Sequence, residues 1–108
     1  MCEDKYAMVI TTCEKPEQAE LIIHDLLSKK LAACIQTQNI KSFYTWKGKI
    51  EVGEEILLLI KSKFNLYDEI QDSIRSKHPY ETPEIIQLPI SNGLKDYFSW
   101  IDEVSKIK

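Results

Sequence analysis

Hydrophobic and polar positions follow two different periods along this chain, and the switches between them divide it into elements. Residues 6–12 are mostly apolar and β-branched, the pattern of a buried strand. After Pro16, which suits a first helical position, Ala19, Ile22, Ile23, Leu26 and Leu27 recur at spacings of three and four. That stripe predicts an amphipathic helix, with Glu17 and Glu20 near its positive end and Lys29 and Lys30 near its negative end. From 32 to 63 the helical period disappears. Ile, Thr, Phe, Tyr, Trp and Val dominate, and Lys47-Gly48 is the clearest turn signal, so the segment reads as a long β-hairpin.

Beyond the hairpin, Asn65 is placed to cap a second helix, with Asp68 reaching back as in a capping box. Leu66, Ile70 and Ile74 supply the inner face of that helix. Residues 84–90 form a short strand, and Pro89, which lacks a ladder donor, predicts that it lies at a sheet edge. Leu94, Tyr97, Phe98, Ile101 and Val104 mark a C-terminal amphipathic helix. The order is β-α-β-β-α-β plus one helix, an α+β, ferredoxin-like arrangement with two helices on one face of a four-stranded antiparallel sheet.

Parity within the hairpin has a consequence. Ile50, Val52, Ile56, Leu58 and Ile60 share one face, while Leu57 and Leu59 point to the other. The first two helices cover one face, which leaves only the C-terminal helix for the other. Each arm could run about fifteen residues against the usual 5–6, and the far end carries Phe43, Tyr44, Trp46, Ile50 and Val52. A monomer rarely exposes so much apolar surface, so a cyclic homo-oligomer is predicted. The alternative is a hairpin that folds back on its own domain.

Composition narrows the class. The 108 residues fit one domain, 1–108, with 1–5 as a mobile tail. Net charge is −3 and Arg75 is the only arginine, so no concentrated basic face exists for nucleic acid. The longest apolar run, 56–60, is far too short to span a membrane, and the N-terminus carries no apolar h-region. A cytoplasmic protein is the default expectation. Three cysteines without a C-x-x-C pair argue against a disulfide scaffold or a zinc knuckle.

Candidate chemistry concentrates between 77 and 84. Pro79 and Pro83 stiffen a loop that could hold His78, Glu81 and Glu84 in fixed relation, and imidazole with carboxylate suits a divalent transition ion. The same residues also read as a rigid connector, with His78 closing the preceding helix. Cys13 sits between the first strand and the first helix. It could join that loop as a soft ligand, or be a small buried residue without a role. Cys34 reads as core, Cys2 as part of the tail and His24 as solvated. Tyr44, Trp46, Lys49, Tyr80, Tyr97 and Trp100 could line an inter-subunit cleft for a small molecule or protein partner, or simply pack an interface. G-x-G-x-x-G, P-loop, G-x-S-x-G and H-E-x-x-H motifs are absent, and no third group orients a Cys13–His78 pair, so an enzyme is not expected.

Five pieces in order carry a family resemblance: Leu31-Ala32-Ala33-Cys34, Tyr44-x-Trp46-x-Gly48-Lys49, the run from Glu55 to Lys61, His78-Pro79-Tyr80-Glu81-Thr82-Pro83-Glu84-Ile85, and Tyr97-x-x-Trp100. The chain resembles the CutA family of divalent-cation tolerance proteins over about 6–104. The resemblance implies a protomer shaped like the PII signalling proteins and a homotrimer in which neighbouring hairpins pair. It also implies a role in tolerance of divalent ions, copper above all, without catalysis. A PII-like sensor using the inter-subunit clefts is the alternative. By the same resemblance, Cu(II) or a related ion would be held by His78 and Glu84, with Cys13 as a further ligand. Lys77 stands where some members have another histidine, and the family's first-strand cysteine position falls on Thr11.

Overall fold

The computed structural model describes residues 4–108, so Cys2 and the first part of the predicted tail lie outside it. The elements run β1 (Tyr6–Cys13), α1 (Pro16–Ser28), β2 (Cys34–Trp46), β3 (Lys49–Lys63), a 3-10 turn (Phe64–Leu66), α2 (Tyr67–Lys77), β4 (Ile85–Ile90) and α3 (Lys95–Val104). The sheet order is β2-β3-β1-β4, antiparallel throughout. β4 lies at one edge with Pro89 opposite Ala7, as the missing donor requires.

Helix α1 begins as its sequence dictates. Pro16 occupies the first turn, and the Lys15 N–H donates to Gln18 Oε1 at 3.1 Å. Its end falls at the lysines, but the closure there carries no sequence signal. Lys30 adopts φ +59, its N–H donates to the Leu27 carbonyl, and the Leu31 N–H donates to the Leu26 carbonyl. This is a Schellman closure with lysine where glycine is usual, and it turns Leu31 into the core. Ala19, Ile22 and Leu26 are buried, whereas Leu27 sits at the margin of the stripe and stays exposed.

The expected Asn65 cap does not form. The chain enters α2 through the 3-10 turn, Leu66 is the residue before the helix, and no side chain caps it. The reason is packing. Leu66 is fully buried and the Phe64 N–H donates to the Lys5 carbonyl, which commits the backbone before Asn65 could reach a capping position.

Lys47 and Gly48, at φ +51 and +77, join β2 to β3 as a two-residue turn with both central residues left-handed. That geometry matches the strand twist and holds an unbroken register from Trp46↔Lys49 to Cys34↔Lys61. On the helix side, Val9, Cys13, Leu58 and Ile60 meet α1 and α2 in one apolar cluster. Strand β1 extends one residue past the predicted end, so Cys13 shares that face with Thr11 and is fully buried.

α3 covers one end of the opposite face. Phe98 stacks on Tyr6 at 4.2 Å, and the Tyr6 hydroxyl donates to Asp102 Oδ2 at 2.7 Å. Cys34 lies on this open side against Tyr97 rather than in the core, because its register partner is Lys61, whose neighbour across β1 is Met8. Leu57 and Leu59 are half-buried, flanked by Gln38 and Gln36 on β2 and by Thr12 and Ile10 on β1. Ile86 and Leu88 of β4 are exposed. The hairpin end is barest of all, with Phe43, Trp46 and Ile50 at 69%, 61% and 81% exposure.

Candidate functional site

The end of β1 and the loop after α2 converge at His78. The imidazole is buried, with Nε2 at 2.6 Å from the Thr12 carbonyl and Nδ1 accepting the Tyr80 N–H at 3.2 Å. A carbonyl oxygen only accepts and a peptide N–H only donates. The ring is therefore assigned as the neutral tautomer with its proton on Nε2. Pro79 stands between the two anchored residues, and the Tyr80 ring packs against the imidazole at 4.6 Å. From there the Tyr80 hydroxyl donates to Glu55 Oε2 on β3 at 2.9 Å. Burial, then Glu55, pushes the phenol well above its usual range, so it stays a donor.

Cys13 and His78 do meet: Sγ lies 4.0 Å from Nε2. The contact does not make a thiolate. Burial, then the Glu55 charge, pushes the Cys13 thiol up to about 11. Glu84 and Glu81 are exposed on the loop. Among the described residues, no three His, Cys, Asp or Glu side chains gather as a metal-holding group.

His78 and Cys13 do not fit a transition ion as the protomer folds. A metal-binding imidazole needs a free lone pair, and a cysteine ligand must be ionised. Here Nδ1 already accepts the Tyr80 N–H, Nε2 already meets the Thr12 carbonyl, and Cys13 lies buried in the apolar cluster. Thr11, which stands at the family's first-strand position, has a buried hydroxyl oxygen without a partner among the described residues.

The six aromatic and basic candidates fall in three places. Tyr44, Trp46 and Lys49 are at the hairpin end, where Tyr44 lies over Gly53 and Trp46 pairs with Lys49. Tyr80 sits in the loop before β4. Tyr97 and Trp100 adjoin each other on α3, with ring centroids 5.8 Å apart. They do not line one cleft within a protomer. A cleft of about 430 Å³ does open beside Glu55, lined by Glu14, Asn39, Lys41 and Glu54. Glu14 carries no motif signal, and Glu55 opens a motif piece without any sign of a site role, because their relation to the loop depends on pairings distant in sequence.

Comparison with known proteins places this arrangement. Residues 7–104 match the family described as CutA1 divalent ion tolerance protein. The divalent-cation tolerance protein CutA of Archaeoglobus fulgidus is 42% identical over 95 residues, spanning 88% of this chain and 93% of that one. Its solved structure, described as a periplasmic divalent cation tolerance protein, superposes with a TM-score of 0.89 at 40% identity, covering 92% of this chain and 97% of that one. The crystal structure of CutA1 from Oryza sativa gives a TM-score of 0.93 at 31% identity, covering 97% of each chain. A family match across nearly the whole length, carried by the same fold at this level of identity, establishes that the chain belongs to the CutA1 divalent ion tolerance family.

Proposed function

We propose that this chain serves divalent-cation tolerance, copper included, as a homotrimeric binding protein without a catalytic step. The single observation that carries the assembly is the hairpin end, where Phe43, Trp46, Ile50 and Val52 stand exposed beyond the reach of α1 and α2. β2 is moreover a sheet edge of thirteen residues. An edge that long and that apolar at its tip invites another strand. Three copies, each offering an edge to the next, close the ring and bury the open faces together. The high Cys13 thiol supports a non-catalytic reading, since a nucleophile needs the opposite shift. Free Cys13 and Cys34 suit a reducing, cytoplasmic setting, although the Archaeoglobus relative is described as periplasmic.

Sedimentation velocity in dilute solution tests the assembly, and calorimetric titration with Cu(II) tests the ion. The expected result is a species of three times the chain mass that takes up copper. A folded, unassociated chain would overturn the reading.

A further inference from the structure

We infer that His78 is a positioning residue of this fold and not a metal ligand: its ring ties the end of β1 to the loop before β4 and thereby sets Tyr80 on Glu55. The inference concerns one side chain and does not depend on the trimer. Both ring nitrogens are engaged from opposite sides, by the Thr12 carbonyl at 2.6 Å and the Tyr80 N–H at 3.2 Å. A metal at Nε2 would have to displace the buried Thr12 carbonyl, and one at Nδ1 the half-buried Tyr80 N–H, and each displacement leaves a backbone group without its partner. Cys13, the nearest soft atom, is sealed in the apolar cluster with Val9, Leu58 and Ile70. The exposed carboxylates of Glu81 and Glu84 remain available to an ion without His78.

What the ring accomplishes is geometric. His78 is the residue that ends α2, its own N–H donating to the Ile74 carbonyl. Its side chain then reaches across to β1 while its Nδ1 draws in the Tyr80 backbone two residues on. One residue thus joins α2, β1 and the loop, and the loop delivers the Tyr80 hydroxyl to β3.

Three forms of the full chain test this: wild type, His78→Ala and His78→Gln. A glutamine amide carries a donor nitrogen and an acceptor oxygen at nearly the spacing of the imidazole nitrogens and is a poor copper ligand. The expected result is a lower Tm for His78→Ala, a largely recovered Tm for His78→Gln, and Cu(II) affinity within about twofold of wild type in both. A loss of about tenfold or more in copper affinity for folded His78→Gln overturns the inference, as does an unchanged Tm for His78→Ala. If the alanine form does not fold, nitrogen-15 spectra of the wild-type imidazole decide. A protonated Nε2 and bare Nδ1 that hold their shifts with equimolar Zn(II) support the inference. A zinc-induced shift, or a proton on Nδ1, overturns it.

Discussion

The Tyr80 hydroxyl donates to Glu55 at 2.9 Å, joining the loop before β4 to the middle of β3 across 25 positions of sequence. Both side chains are half-buried, and the carboxylate strengthens the bond. Tyr80→Phe removes the donor and leaves Glu55 short of a partner. The expected cost is about 1–2 kcal/mol, read as a lower urea midpoint with an unchanged slope.

Cys13 makes stability sensitive to alkali. Its folded value, about 11, lies above its ordinary value of 9.0, so the folded chain holds the proton more tightly than the unfolded chain. The stabilisation is complete below the unfolded value and is lost as pH rises toward the folded one. Between about pH 9 and 11 the unfolding free energy should fall by about 2 kcal/mol on account of this group. Urea unfolding across that range would show a smaller fall in Cys13→Ala. The same burial predicts that Cys13 resists alkylation at neutral pH until the chain is denatured.

Lys30 occupies φ +59 at the end of α1, where a side chain is unfavourable and glycine is not. The Lys30 carbonyl accepts the Lys106 N–H at 2.7 Å, a backbone contact that survives substitution. Lys30→Gly should therefore stabilise the fold by about 0.5–1 kcal/mol, visible as a raised Tm. An unchanged or lower Tm would mean that the lysine side chain contributes something the hydrogen bonds do not reveal.

Ile50 contributes nothing to the protomer core, being 81% exposed in the single chain. Ile50→Glu should leave circular dichroism unchanged while weakening association by about 2 kcal/mol at each contact. Sedimentation would then show smaller species at concentrations where wild type is fully assembled. Loss of secondary structure instead would place Ile50 in the folding of the protomer itself.

Much of the fold was readable because local chemistry and tertiary structure agree. The stripe of Ala19, Ile22 and Leu26 faces the core that its period implies. Lys47-Gly48 forms the turn, and Pro89 lies at the edge. Where the structure departs from the local pattern, tertiary packing is the common cause. Asn65 is a good cap in isolation, but burial of Leu66 set the entry to α2. Lys30 gave no sign of a left-handed closure, because its conformation is imposed by drawing Leu31 into the core. Cys34 read as core from its apolar neighbours, yet the strand register turned it to the open side.

For the site, the sequence by itself determined which residues were rigidly grouped: two prolines fix the short span from His78 to Glu84, and stiffness is local. It also determined that one sheet face would have at most α3 to cover it and that the hairpin end would be bare, because strand parity and helix count are properties of the linear pattern. Only the tertiary structure decided what His78 does. Its partners, the Thr12 carbonyl and the Tyr80 N–H, are backbone groups that every sequence contains. No residue pattern reveals which of them an imidazole will meet. That depends on how β1, α2 and the loop close against one another, and burial then commits both nitrogens.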